Sequence, residues 1–167
     1  MMTVRLRLAT LLARWALRER RAEASPVSRL SMRCWPFDCD INRHMNNSRY
    51  LALMDLGRWH FLLVTGLYRT IWRRRWAPVA VRVEIDFKKS LRPGERFTLE
   101  TAQETVGTKS ATLVQRFWRD DELCAEARVV VLFIHKGKSQ PLAEALAEHR
   151  HLAIAASEAP RGEATEA

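Results

Sequence analysis

The chain has 167 residues and 47% of them are hydrophobic, which is enough for one domain with a single buried core. The formal net charge is +9, but residues 1–33 hold eight arginines against two glutamates. The body is therefore only mildly basic, which excludes nucleic-acid binding as its main task. Three cysteines without a C-x-x-C pair, and no apolar run of membrane-spanning length, predict a cytoplasmic chain without a disulfide framework.

The N-terminus predicts a basic amphipathic helix over residues 3–22, with apolar side chains on one side and arginines on the adjoining side. Two interpretations fit this pattern: peripheral contact with the inner face of an anionic membrane, or packing on the chain's own domain or on a partner. A linker containing Pro26 follows. We therefore expect an extension over 1–28, a main domain over 29–156 and a disordered tail over 157–167.

The main domain begins with a predicted strand from Leu30 to Phe37, which leads into a polar turn. A long helix follows, capped by Asn46 or Asn47, and its apolar residues recur at helical spacing. Gly57 lies in the middle of this helix, where glycine costs about 1 kcal/mol relative to alanine. Its presence predicts a close approach of the helix to a sheet.

After Pro78 the spacing of apolar residues changes from helical to alternating. One face of the resulting strand is predicted to be buried, and it carries Val79, Val81, Val83, Ile85 and Phe87. Further strands are predicted over 96–105, 110–119 and 123–135, and a short helix over 141–156. The basic segment 69–76 is interpreted as a solvated connection whose tryptophans pack on the fold. The fold class is α+β, an antiparallel sheet wrapped around one long central helix.

Polar side chains occupy every second position in the turn ahead of the helix: Asp38, Asp40, Asn42 and His44. Such a turn places acid–base groups beside the free backbone N–H groups of a helix start, which can stabilise an oxyanion. A calcium loop is excluded because Arg43 and Arg49 stand where an EF-hand requires glycine and glutamate. No cysteine or second histidine lies at zinc-ligand spacing, so we expect no metal. The same residues would also serve simply to cap the helix and close the turn.

The motif Asp38-x-Asp40-x-Asn42-x-His44-Met45-Asn46-Asn47-x-x-Tyr50 resembles that of hotdog-fold acyl thioesterases, both the 4-hydroxybenzoyl-CoA type and the acyl-ACP thioesterases of plants. The resemblance covers about residues 30–136. It implies that Asp40 is the general base or nucleophile, with Asn42 and His44 orienting it or the attacking water. The backbone N–H groups of Met45, Asn46 and Asn47 are expected to hold the oxyanion. In two departures, Arg43 stands where many relatives have glycine, and the Glu-Cys pair of the plant enzymes is absent.

The resemblance implies hydrolysis of an acyl-CoA or acyl-ACP thioester without a cofactor, in a homodimer or homotetramer. Lys88, Lys89 and Arg92 lie at one strand end and are expected to bind the phosphates of CoA or an acidic carrier protein. The acyl group is expected along the apolar stripe of the long helix, near Met54 and Phe61. The alternative is a non-catalytic hotdog module that binds acyl thioesters or lipids at a membrane surface.

Overall fold

The structure is a computed structural model that describes residues 4–14 and 25–142. In chain order its elements are α1 (Val4–Arg14), β1 (Val27–Arg33), a 3-10 turn (Pro36–Asp38), α2 (Asn47–Val64), α3 (Leu67–Arg74), β2 (Ala77–Phe87), β3 (Arg96–Val106), β4 (Ser110–Arg119), β5 (Glu122–His135) and β6 (Lys138–Ser139). The rest of the helix predicted over 3–22, most of the helix predicted over 141–156, and the tail lie outside the described residues. None of the described helices is both long enough and apolar enough to cross a membrane.

The strands form one antiparallel sheet in the order β1-β3-β4-β5-β2, and the short β6 pairs with β5. The predicted antiparallel α+β arrangement is therefore present, with three α-helices accompanying the sheet in the described part of the chain. The first strand was predicted too late, because β1 ends at Arg33 and Pro36 begins a 3-10 turn. Proline has no backbone N–H to give to a strand ladder, but it suits the first position of a helical turn.

The 18-residue helix α2 packs its apolar stripe on the sheet, with Tyr50, Leu53, Met54 and Phe61 at most 2% exposed. Gly57 faces β3 and β4. A Cβ atom added at Gly57 would lie 2.6 Å from the Leu99 side chain and 2.8 Å from that of Gln115. The close approach predicted from this glycine is confirmed, because a side chain here would push against buried side chains of the sheet.

Two buried polar contacts hold α2 against the strands. Gln115 is fully buried on β4, and its side-chain amide donates to the Met54 carbonyl oxygen at 3.0 Å. His60 is 5% exposed, with Nδ1 2.7 Å from the Ser28 hydroxyl of β1. Ser28 lies 32 residues before His60, so the sequence gives no local sign of this contact.

The strand predicted after Pro78 is present as β2, but its valines are not buried as predicted. A bulge between Ala80 and Arg82 shifts the pairing with β5, so that Val79 pairs with Leu132 and Val83 with Val129, on opposite faces of the sheet. β2 is also the last strand in the sheet order, and no described strand covers its outer edge. The large apolar side chains of β2 that are exposed, at 37–53% accessibility, are Val79, Val81, Val83 and Phe87.

The segment predicted as a solvated connection forms helix α3. Trp76, just after it, packs on the Phe133 ring with centroids 6.0 Å apart, as predicted for its tryptophans. Trp72 does not follow this prediction, because its side chain is 85% exposed. The neighbouring Arg75 is in the left-handed region at φ 54° and ends the helix.

Candidate active site

The polar motif forms a closed loop between β1 and α2. An isolated antiparallel bridge between Cys39 and Met45 closes its base, and the Asp40 N–H donates to the His44 carbonyl oxygen at 3.1 Å. At its tip the Arg43 N–H donates to the Asp40 carbonyl oxygen at 3.0 Å, and Arg43 takes a φ of 60°. This left-handed conformation is the one glycine adopts most easily. Arg43 therefore closes the turn in a backbone conformation that residues other than glycine seldom adopt.

The loop brings Asp40 and His44 together. His44 Nδ1 lies 4.0 Å from Asp40 Oδ1, and the two side chains are 42% and 27% exposed respectively. Asp40 Oδ1 also accepts the Asn42 backbone N–H at 2.8 Å, which orients the carboxylate. The Asn42 residue is exposed at the tip of the loop, so its observed contact with Asp40 runs through its backbone. The site is thus a solvent-accessible carboxylate, and a small rotation of the His44 side chain would bring its imidazole within hydrogen-bond distance.

Asp38 has a different role from Asp40, because it is 3% exposed and fully engaged. Its Oδ2 accepts from Arg7 Nη2 of α1 at 2.5 Å and from the Trp35 backbone N–H at 2.9 Å. The Arg7 guanidinium also lies over the Phe37 ring, 5.7 Å from its centroid. This buried ion pair attaches α1 to the loop, so residues 4–14 pack on their own domain. Arg7 stands 31 residues before Asp38, and no local pattern in the sequence joins the two.

The backbone N–H groups at the start of α2 are only partly available for an oxyanion. The Met45 N–H donates to the Leu91 carbonyl oxygen at 2.7 Å, and the Asn46 N–H donates to the Asp38 carbonyl oxygen at 2.9 Å. The Asn46 side chain caps the helix as predicted by accepting the Ser48 N–H at 2.9 Å. Among residues 4–14 and 25–142, the Asn47 N–H has no acceptor, and it lies at the first position of α2.

The predicted basic residues lie on a segment that contacts this loop. Leu91, fully buried, accepts the Met45 N–H and thereby joins the segment after β2 to the helix start. The Lys88 and Lys89 N–H groups both donate to the Cys124 carbonyl oxygen, at 2.8 and 2.9 Å. Their side chains are exposed, as is Arg92. Three exposed cations therefore lie on the segment that contacts the start of α2 through Leu91.

A salt-bridged carboxylate stabilises the same segment. Glu95 Oε2 accepts the Arg92 N–H at 2.8 Å and the Arg119 guanidinium at 3.0 Å. Burial alone would raise the pKa of Glu95, but these two donors outweigh burial and lower the pKa below its ordinary value. Arg119 also donates to the Ser90 carbonyl oxygen at 3.2 Å, so it holds both ends of the turn.

The two predicted acyl-contact residues lie in different surroundings. Met54 is fully enclosed at 0% exposure, whereas Phe61 lines a cavity of about 320 Å³ between α2 and the sheet. The walls are largely apolar, with Leu113 and Val131 on the sheet side. Arg58 also lines this cavity, and burial lowers the pKa of its guanidinium, a shift that the Asp55 carboxylate opposes.

Two thiols meet directly under the loop. Cys39 Sγ lies 3.4 Å from Cys34 Sγ, and both cysteines are free. Cys34 is fully buried and its thiol also points at the Leu91 carbonyl oxygen, 3.9 Å away, whereas Cys39 is half-buried. Burial raises the pKa of the Cys34 thiol well above its ordinary value. The sequence predicted no disulfide framework, and it did not predict this contact.

Comparison with known sequences identifies proteins that are similar to this chain. A family model described as the thioesterase-like superfamily matches residues 34–150. Protein THEM6 of Drosophila melanogaster is 30% identical over 100 residues, which are 59% of this chain and 52% of that protein. The chain thus spans about half the length of this curated relative.

Solved structures share the fold. YbaW, a probable thioesterase from Escherichia coli, matches with a TM-score of 0.69 at 20% identity, over 75% of this chain and 97% of that chain. Slr0204, a 1,4-dihydroxy-2-naphthoyl-CoA thioesterase from Synechocystis, matches with a TM-score of 0.63 at 16% identity, over 74% and 94% of the two chains. At these identities the likeness establishes the fold alone, and it confirms the predicted antiparallel sheet accompanied by helices.

Proposed function

Because the chain belongs to the thioesterase-like superfamily, we propose that it is an acyl thioesterase that hydrolyses an acyl-CoA or acyl-carrier-protein thioester. The observation that carries this proposal is the approach of the Asp40 carboxylate to the His44 imidazole, 4.0 Å apart, in an accessible loop that leads into the N-terminus of α2. The relative from Synechocystis acts on an aromatic CoA thioester, which supports a thioester substrate class.

In the proposed reaction Asp40 accepts a proton from water while the water oxygen bonds to the thioester carbonyl carbon. Attack by the carboxylate itself, which gives a mixed anhydride that water then hydrolyses, uses the same residue and stays open. His44 orients Asp40 or the water from the far side of the loop. Asn42 holds the carboxylate through its backbone N–H, which donates to Oδ1 at 2.8 Å.

The negative charge that develops on the substrate oxygen needs a donor that is not already used. Of the three expected backbone groups, those of Met45 and Asn46 donate within the chain, so we assign this task to the Asn47 N–H. The positive end of the α2 dipole lies at the same place and favours the anion. When the tetrahedral intermediate breaks down, the C–S bond cleaves and the thiol leaves with the proton that was taken from water.

The two ends of the substrate have separate candidate sites. The exposed cations Lys88, Lys89 and Arg92 suit the phosphates of CoA or the acidic surface of a carrier protein. The cavity beside Phe61 suits an apolar acyl group. Met54 is completely enclosed and does not line this cavity, so in this proposal it touches substrate only if the core opens.

We also propose that the protein acts as a homodimer or homotetramer. The support is β2, an 11-residue edge strand with four exposed apolar side chains and no described neighbour on its outer side. Such an edge is a template for pairing with another strand, and soluble proteins rarely leave it bare. Three free cysteines agree with a reducing compartment, for which we retain the expectation of the cytoplasm.

The test is release of free thiol from short, long and aromatic acyl-CoAs by the wild type, Asp40→Asn and a matched Asp121→Asn control in the exposed β4–β5 turn. Loss of the Asp40 carboxylate should lower kcat by about 10²–10⁴-fold, the range for removing a proton-transfer group, while the control keeps the wild-type rate. Equal turnover by Asp40→Asn and wild type would falsify the assignment of Asp40.

The second candidate is a non-catalytic module that binds acyl thioesters or lipids at a membrane. It is favoured by an open apolar groove of about 980 Å³ between α1, α2 and α3, bordered by Leu12, Trp72 and Arg75. Tryptophan at 85% exposure beside arginines suits the interface of an anionic bilayer, and residues 3–22 would add contacts. No hydrolysis of any thioester, together with vesicle binding that falls steeply with salt, would favour this candidate over the enzyme.

A further inference from the structure

The Cys34–Cys39 pair lies at the base of the proposed catalytic loop and has no part in the proposed hydrolysis. Cys39 precedes Asp40 directly and forms the bridge with Met45 that closes the loop. Cys34 follows β1, where its N–H donates to the Glu95 carbonyl oxygen at 2.9 Å. One thiol therefore belongs to the loop and the other to the sheet.

The geometry is close to that of a disulfide. The two sulfurs are 3.4 Å apart, and a bond of about 2.0 Å needs them to approach by about 1.4 Å. Both residues belong to well-anchored backbone, because Gly94 donates to the Cys34 carbonyl oxygen at 2.7 Å and Cys39 donates to the Pro36 carbonyl oxygen at 3.2 Å. The approach is shared between rotation of the two side chains and movement of the loop that carries Cys39.

We propose that Cys34 and Cys39 form a reversible intramolecular disulfide when the protein meets a peroxide, and that this oxidation lowers the activity of the catalytic loop. Only the effect on activity rests on the proposed function; formation of the bond does not. The pair is thus a redox-modification site beside the proposed base.

The reaction balances with hydrogen peroxide as the oxidant. The half-buried Cys39 sulfur takes one peroxide oxygen, so an S–O bond forms, the O–O bond breaks and one water leaves. The Cys34 sulfur then attacks the Cys39 sulfur, the S–S bond forms, and hydroxide leaves with the Cys34 proton as a second water. The two thiols together lose two electrons and the peroxide gains them. A dithiol reductant reverses the change by exchange.

The order of these steps follows from exposure. Cys39 is the thiol that solvent reaches, whereas Cys34 is at 0% exposure. Burial raises the pKa of Cys34, so few molecules carry the attacking thiolate at neutral pH and the second step is slow. We therefore expect cross-linking to become faster as the pH rises.

The disulfide would act on the site through the backbone of Cys39. Drawing Cys39 towards the sheet moves the neighbouring Asp40, and a displacement of about 1 Å in a reacting group can cost on the order of 10²-fold in rate. The bond also removes the Cys34 thiol proton, which now faces the Leu91 carbonyl oxygen at 3.9 Å. That carbonyl oxygen is the acceptor of the Met45 N–H at the helix start.

The experiment treats the reduced full-length protein with hydrogen peroxide, alkylates the remaining thiols and maps the products by mass spectrometry. We expect loss of two hydrogen atoms, a Cys34–Cys39 cross-linked peptide and a free Cys124, which is fully buried elsewhere in the core. Turnover of the best acyl-CoA should fall by on the order of 10²-fold and return after dithiothreitol. Cys39→Ser should form no cross-link and lose no activity on the same treatment, whereas Cys124→Ser should behave as wild type.

Three results would overturn the proposal. The first is over-oxidation of Cys39 without a cross-link, and the second is a cross-link that involves Cys124. The third is a complete Cys34–Cys39 cross-link with unchanged turnover, which would remove the effect on activity. Peptide mapping is done on the wild type, so it stays decisive even if a serine variant does not fold. A protein that hydrolyses no thioester at all contradicts the proposed function and leaves the cross-link result to stand separately.

Discussion

Gly57→Ala is the substitution whose effect the packing predicts most directly. In a free helix the change stabilises by about 1 kcal/mol, because alanine has the higher helix propensity. Here the new Cβ would lie 2.6 Å from Leu99 Cδ2 and 3.0 Å from Thr101 Oγ1, both on β3. Both distances are shorter than van der Waals contact, so these buried side chains must shift or α2 must move away from the sheet.

Two costs follow from this rearrangement. Overpacking a well-filled core costs about 1–3 kcal/mol. The Gln115 Nε2 atom, 2.8 Å from the added methyl, would also lose its bond to the Met54 carbonyl oxygen, and a buried unsatisfied pair costs about 1–3 kcal/mol. Against a propensity gain of about 1 kcal/mol, the net destabilisation is about 3 kcal/mol.

Urea unfolding at fixed protomer concentration measures this loss as a lower midpoint with an unchanged slope. Gly107→Ala is the matched control, because there the nearest atom to an added Cβ is the movable Ser110 hydroxyl at 3.2 Å. The control should shift the free energy of unfolding little. A Gly57→Ala protein as stable as the wild type, or stabilised by the propensity gain, would refute the close approach of α2 to the sheet.

Three further predictions concern charge and assembly. Asp38→Asn leaves Arg7 buried without its counter-charge, so it should lower the free energy of unfolding in urea by up to about 3–5 kcal/mol. Proteolysis of α1 should become faster, and unchanged protease resistance would contradict the buried pair. The lowered pKa of Glu95 means that its carboxylate adds stability above its unfolded pKa and loses it as the pH falls through the lower folded value. Glu95→Gln should therefore destabilise at neutral pH, with the difference from wild type vanishing in acid; a difference that does not depend on pH would contradict the linkage. Val81→Lys, on the exposed edge of β2, should shift size-exclusion elution towards the monomer, and an unchanged oligomer would exclude that edge as the interface.

Residue periodicity and local chemistry predicted several strands, the helix cap and one packing contact of this protein from the sequence alone. The strand predicted over 110–119 is β4 at the same bounds, and Asn46 caps α2 as predicted. Gly57 predicted the helix–sheet contact, because the low helix propensity of a mid-helix glycine is offset here by close packing. The polar motif predicted a candidate site, because the backbone of a strand-to-helix turn brings its side chains close together.

Tertiary structure decided which groups in that motif are free to act. Asp38 and Asp40 look alike in the sequence, yet Arg7 of α1 engages one and leaves the other accessible. Carbonyl oxygens elsewhere in the chain likewise accept backbone N–H groups of the motif. Leu91 accepts the Met45 N–H and Asp38 accepts the Asn46 N–H, which leaves the Asn47 N–H available. The bulge after Ala80 places valines that were predicted to share one face of β2 on opposite faces of the sheet. Folding also brings the Cys34 and Cys39 sulfurs into contact. Periodic patterns report the local backbone, whereas the use of a donor, a charge or a thiol depends on partners that only the folded chain brings within reach.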